Sequence, residues 1–270
     1  MKIACIQLSI KWENPKSNFN NAKILIKEAK DKGAEFIFLP ELFSTGVTMN
    51  SSKFAESING KTCKFLSEQA SSNNIFLLGT FIEKNSKNLP KNSLVIFNPQ
   101  GNLIGKYSKL HIFSFGGEKK SYSNGDDLTI IKINEFKFAP FICYDLRFPE
   151  IFRIAVGKGA NVFVLPSNWP NPRKEHWTTL LRARAIENES YVIGINRVGT
   201  APNLTFFGSS MIISPKGEII AQADDKERVL IGDININEVN QWRKSFGALK
   251  DRRKEFITKD LKSIETIGIA

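Results

Sequence analysis

The sequence predicts an α/β protein built as a four-layer α-β-β-α sandwich with an internal pseudo-twofold repeat. Three observations carry this. First, Gly33-Ala-Glu-Phe-Ile-Phe-Leu-Pro40 recurs as Gly159-Ala-Asn-Val-Phe-Val-Leu-Pro166, each time after a helix-like stretch. Second, 36–39 and 162–165 are continuous apolar runs, the pattern of strands covered on both faces. Third, each half closes with a hairpin around Pro-x-Gly: Asn92-Ser-Leu-Val-Ile-Phe-Asn-Pro-Gln-Gly in one, Gly208-Ser-Ser-Met-Ile-Ile-Ser-Pro-Lys-Gly in the other.

In order, residues 2–8 read as a strand, 18–32 as a helix and 36–39 as a strand. A helix over 61–72 then leads to a strand over 75–81 and the first hairpin. The second half repeats this with a strand over 136–142 and a helix from Pro149 to Lys158. It continues with a strand over 162–165, a helix over 175–189, a strand over 191–197 and the second hairpin. Two β-α-β-α-β-β copies fit two stacked sheets with helices outside; one doubly wound sheet accommodates the hairpins less well. The whole chain, 1–270, is expected to form a single domain, with an arm over about 240–270 that matches neither copy.

Composition narrows the function. With 41% hydrophobic and 24% charged residues, the chain has the balance of a soluble globular protein. No apolar run reaches the roughly eighteen residues of a membrane span, and the N-terminus reads as a strand rather than a signal peptide. A cytoplasmic location and no membrane partner are expected. Cys5, Cys63 and Cys143 neither pair into a disulfide framework nor show metal-ligand spacing, so no metal and no cofactor are expected. The net charge of +11 is spread over scattered lysines such as Lys84, Lys91 and Lys119, clustering only near Arg243-Lys244 and Arg252-Arg253-Lys254. That reads as a solvated basic face, with no nucleic-acid partner.

The chemistry centres on Cys143. Phe136-Lys-Phe-Ala-Pro-Phe-Ile-Cys-Tyr-Asp-Leu-Arg-Phe-Pro-Glu runs from an apolar strand into a polar turn and a helix start, the setting of a nucleophile elbow. A helix dipole aimed at the sulfur would favour thiolate over thiol. Departures between the copies mark two partners. After the shared Leu-Pro, the first copy places Glu41 where the second has Ser167-Asn168. Lys109 follows the first hairpin where the second copy reads Ala221-Gln-Ala-Asp-Asp. A carboxylate there can serve as general base, and an ammonium can depress the thiol pKa and stabilise an oxyanion. Only His111 and His176 are available for a Cys–His pair. His176 reads as a packing or capping residue, and His111 remains open.

These motifs resemble the nitrilase, or carbon–nitrogen hydrolase, superfamily over nearly the whole length. The likeness rests on Leu39-Pro-Glu41-Leu-Phe, Lys106-Tyr-Ser-Lys109-Leu-His-Ile-Phe and Ile142-Cys143-Tyr-Asp-Leu-Arg-Phe-Pro-Glu. The resemblance implies a Glu41–Lys109–Cys143 triad, a supporting glutamate at Glu118, and an oxyanion donor at the backbone N–H of Tyr144. It also implies the sandwich fold and pairing into a homodimer. Glu41-Leu-Phe-Ser-Thr-Gly-Val-Thr-Met, Asn168-Trp-Pro-Asn-Pro-Arg-Lys-Glu-His-Trp and the stretch from Ala183 to Gly199 are similar to the ω-amidase branch. That branch acts on 2-oxoglutaramate and related dicarboxylate monoamides through a thioester; the basic Asp251-Arg-Arg-Lys departs from it. The alternative is a relative acting on N-carbamoyl amines or deaminated glutathione. The expected partners are therefore a small amide and water. Holding a distal carboxylate calls for an arginine. Arg173 is the choice and Arg147 its rival, the latter read more readily as a structural residue pairing with Asp145 or Glu150. Phe43, Phe115 and Trp169 are expected to wall the pocket.

Overall fold

A computed structural model describes residues 1–253; most of the expected C-terminal arm beyond them lies outside the described residues. The first half contains β1 (Lys2–Gln7), α1 (Pro15–Asp31), β2 (Phe36–Phe38), α2 (Ser51–Phe54) and α3 (Lys61–Asn73). It closes with β3 (Phe76–Glu83), β4 (Lys91–Phe97) and β5 (Leu103–Ser108). The second half runs β6 (Ile131–Ile133), β7 (Phe136–Pro140), α4 (Pro149–Gly157), β8 (Val162–Ser167), α5 (Lys174–Asn188) and β9 (Tyr191–Asn196). Then come β10 (Val198–Ala201), β11 (Leu204–Phe207), β12 (Met211–Ile213), β13 (Ile219–Gln222), β14 (Arg228–Asp233) and α6 (Ile236–Ser245).

Two six-stranded sheets result, ordered β14-β1-β2-β3-β4-β5 and β13-β12-β9-β8-β7-β6. Strands β1, β2 and β3 are parallel, as are β7, β8 and β9, and each set continues into an antiparallel hairpin. The repeat is thus realised strand for strand. It extends to an element sequence reading did not anticipate. β6 lies antiparallel on β7, and β14, arriving from the far end of the chain, lies antiparallel on β1. The Met1 ammonium donates to the Ile234 carbonyl at 3.1 Å, sealing that junction.

Alternation along each strand divides the core. In the first sheet Ile3, Cys5, Phe36, Phe38, Leu78 and Leu94 face the second sheet, and the Phe36 ring meets Phe138 edge-on at 5.1 Å. Ala4, Ile6, Ile37, Leu39 and Leu77 face outward beneath α1 and α3, against Leu25, Ile26, Cys63 and Leu66. Both faces are covered, so the strands read as unbroken apolar runs. Gly79 permits the closest approach of α3: a Cβ there would stand 2.8 Å from Leu66 and 3.2 Å from Phe43.

Candidate active site

Four strand ends converge at one edge of the sandwich. β2 ends ahead of Glu41, β5 ahead of Lys109, β7 ahead of Cys143 and β8 ahead of Asn168. Glu41 is fully buried, and three donors fix its carboxylate. Asn92 Nδ2 donates to Oε1 at 2.8 Å, Lys109 Nζ to the same oxygen at 3.0 Å, and the Asn168 backbone N–H to Oε2 at 2.9 Å. The Asn168 side-chain amide also donates to the Glu41 carbonyl. Leu42, next in sequence, takes φ 43° and donates its N–H to Thr80, so the loop turns sharply where the carboxylate must point inward.

Lys109 is equally enclosed. Besides Glu41, both oxygens of Glu118 lie 3.0 Å from its Nζ, and Glu118 Oε2 also accepts from the Phe113 N–H at 2.9 Å. Burial alone would push the ammonium down, but Glu118 and Glu41 together carry its pKa well above the ordinary lysine range. It is a fixed cation.

Cys143 takes φ 47°, the strained bend expected of an elbow. Two expectations about it are corrected. A 3₁₀ turn, Cys143–Arg147, intervenes before α4, which begins at Pro149, so the sulfur does not sit at the α-helix N-terminus. The thiol pKa is raised well above its usual value, not lowered: burial is the main cause and the Glu41 carboxylate adds to it. Lys109 and a backbone hydrogen bond from Asn168 pull the other way without prevailing. The shift favours the thiol form of the sulfur, with Glu41 beside it.

A cavity of about 120 Å³ opens over these groups. Cys143, Glu41 and Glu118 line it, with Tyr144, Trp169 and Arg173 among the expected residues. Two expected walls are not there. Phe43 is fully buried in the outer core, where it packs against Phe19 and Phe65, because its side chain follows the apolar face of the loop towards α3. Phe115 is 89% exposed: the tight turn ending at Gly117 (φ 84°) throws it into solvent and turns Phe113 inward instead. Sequence reading also missed Trp12, Met49 and Phe206, which stand among the lining residues. Phe206 belongs to the β10–β11 hairpin, inserted between β9 and β12 where the first copy has only a loop.

Arg147 departs from its expected pairing as well. Its guanidinium lies 4.9 Å from the Trp169 ring centroid and lines the cavity, its Nη2 3.1 Å from His176 Nδ1. Burial first, and then the neighbouring Arg173, lowers its pKa. Arg173 lies over Phe113 at 5.3 Å. Among the described residues neither guanidinium has a carboxylate within 4 Å. Asp145 is engaged elsewhere, with Tyr107, the Ile142 N–H and His111. His111 therefore stands with Asp145 and stacks on Phe148, rather than serving the thiol.

Comparison with known proteins places the chain in a family and a fold. The family model described as carbon–nitrogen hydrolase matches residues 2–244. The chain is 32% identical to the 2-oxoglutaramate amidase of Bacillus subtilis (strain 168), over 94% of this chain and 98% of that protein. It is 37% identical to the 2-oxoglutaramate amidase of Paenarthrobacter nicotinovorans, over 82% of this chain and 79% of that one. Among solved structures, a CN-hydrolase superfamily protein from Xanthomonas campestris, with an arsenic adduct in its active site, superposes with a TM-score of 0.89. It shares 29% identity, with 93% of this chain and 97% of that chain covered.

Proposed function

The chain belongs to the carbon–nitrogen hydrolase family, and we propose that it is a cysteine-dependent ω-amidase. On this reading it hydrolyses 2-oxoglutaramate or related dicarboxylate monoamides to the dicarboxylate and ammonia. The observation that carries the substrate class is the pair of guanidiniums, Arg147 and Arg173, facing the Cys143 cavity without a carboxylate partner among the described residues. Two partly desolvated cations beside aromatic rings are a receptor for an anionic group.

A neutral thiol needs a base at the moment of attack, and Glu41 is the acceptor at hand. In the first step it takes the Cys143 proton as sulfur bonds to the amide carbon. The oxygen that gains charge is met by the Lys109 ammonium and the Tyr144 backbone N–H, preorganised donors worth about 3 kcal/mol each. Glu41 then gives the proton to the departing nitrogen, and ammonia leaves a thioester on Cys143. Glu41 next deprotonates a water that attacks the thioester and releases the acid, returning the proton to sulfur. Glu118 keeps Lys109 in place through its two 3.0 Å contacts.

Residues 1–270 form one domain in this proposal, and the protein works in the cytoplasm, consistent with three cysteines that remain free thiols. We propose a homodimer formed through the outer faces of α4 and α5, where Ile154 and Ile186 stand exposed.

Cys143→Ala should abolish ammonia release from 2-oxoglutaramate while leaving the circular-dichroism spectrum unchanged; sustained turnover by the folded variant would end the mechanism. Assaying the wild type on dicarboxylate monoamides, neutral amides, N-carbamoyl amines and deaminated glutathione tests the substrate class. Preference for either of the last two would replace it with the alternative reading.

A further inference from the structure

Asp145 is absent from the chemistry above, yet it is one of the most heavily bonded side chains in the protein. It is fully buried and has no lysine or arginine within 4 Å among the described residues. Four donors converge on its two oxygens. Oδ2 accepts from the Ile142 N–H at 2.9 Å and the Tyr107 hydroxyl at 2.7 Å. Oδ1 accepts from the His111 backbone N–H and from His111 Nδ1, both at 2.9 Å. Four donors saturate a carboxylate, and with Nδ1 donating, the imidazole proton is assigned to that nitrogen.

The origin of those donors is what matters. Ile142 immediately precedes Cys143. Tyr107 and His111 stand two residues before and two residues after Lys109. The His111 ring stacks on Phe148, which ends the cysteine turn, with centroids 3.7 Å apart and planes 9° apart. The Tyr107 hydroxyl in turn accepts from the Leu110 N–H at 3.3 Å. Lys109 and Cys143 come from different sheets, so no strand ladder fixes one against the other. Asp145 supplies hydrogen bonds across that gap.

We propose that Asp145 is a positioning residue: with Tyr107 and His111 it clamps the Lys109 segment to the Cys143 turn and so sets the spacing at which ammonium and sulfur act together. The proposal rests on the reading of Cys143 and Lys109 as catalytic groups. A buried carboxyl group with no lysine or arginine beside it is costly unless its hydrogen bonds are complete, and an apolar residue would fill the volume at lower cost. Its presence between the two segments is explained by a positional role.

Asp145→Asn tests this. The amide preserves shape but turns an NH₂ group towards donors, breaking part of the clamp. Displacement of about 1 Å at a reacting centre costs about 10²-fold in rate, so kcat should fall on that order while KM stays within about threefold. Alkylation of Cys143 by iodoacetamide should slow by about tenfold for the same reason. Tyr107→Phe removes one donor while leaving the ring against Phe141, and should lose about tenfold in kcat. It decides the matter if Asp145→Asn does not fold. The double variant should lose little beyond Asp145→Asn alone, since both residues act through one contact. A folded variant with a lowered melting temperature but wild-type kcat and alkylation rate would reduce Asp145 to a structural residue and overturn the proposal. Alkylation requires no amide substrate, so the clamp is judged even if the wild type releases ammonia from none of the amides assayed. That result would defeat the amidase reading alone.

Discussion

Arg147 and Arg173 approach the same cavity from different directions, one from the cysteine turn and one from the segment preceding α5. Each lies over an aromatic ring, so its apolar face is covered; Arg173 keeps its N–H edge for a ligand, and Arg147 keeps the part of its edge that does not meet His176. Arg173→Ala should therefore raise KM for dicarboxylate monoamides by roughly tenfold or more with little change for neutral amides, the loss expected of one charge-assisted contact. Arg147→Ala should do the same, and steady-state kinetics on paired substrates checks both; equal effects on charged and neutral amides would remove them from anion binding. Residue identity was legible where a motif carried it: Glu41, Lys109, Glu118 and Cys143 stand together in the fold. Ionisation was not. A nearby ammonium suggested a lowered thiol pKa, but desolvation and a carboxylate outweigh it. Both depend on depth and on a neighbour about a hundred residues away in sequence.

The helices and strands that sequence predicts in the two copies fall within a few residues of their places because their apolar periodicity is local. α4, expected over 149–158, occupies Pro149–Gly157, and α3, expected over 61–72, occupies Lys61–Asn73. Loops escaped that reading, since the direction of a side chain there hangs on single dihedrals: Phe113 and Phe115 exchange roles across one turn at Gly117. The β10–β11 hairpin also escaped, because nothing in the first copy corresponds to it. The outer helices, by contrast, expose what their periodicity does not bury. Ile154 on α4 is 43% exposed and Ile186 on α5 is 51% exposed. If these faces pair, Ile186→Lys should convert a dimer into a monomer in sedimentation equilibrium with the fold preserved. A wild-type monomer would dismiss the interface.

For the molecule as a whole, burial shifts several acidic groups in one direction. Cys63 is pushed up to about 12, and the Cys5 thiol and the phenols of Tyr107, Tyr122 and Tyr191 are raised as well, chiefly by desolvation. Cys143 is raised by burial as well, and Lys109 is raised against its burial by Glu118 and Glu41. Between about pH 8.5, where an unfolded thiol ionises, and pH 10, the native state holds more protons than the unfolded chain. The thiols' contribution is thus complete below about pH 8.5 and begins to be lost above it, that of the phenols and Lys109 only above about pH 10. Each continues to be lost until the pH reaches the group's raised native value. Urea denaturation should show stability declining from about pH 8.5 to 10 as the unfolded thiols ionise; a flat or rising profile would contradict the burial of the three cysteines.

The placement of β14 on β1 has a consequence for how the chain is made. During synthesis the N-terminal half leaves the ribosome with one sheet edge bare and with Phe36, Phe38, Leu78 and Leu94 uncovered on its inner face. Neither defect is repaired until the second half has followed, and the edge waits for residues 228–233. A half-made chain is thus a sticky, open-edged sheet rather than a small folded protein. Its safe production depends on how quickly the rest arrives, or on a chaperone that shields the exposed face meanwhile.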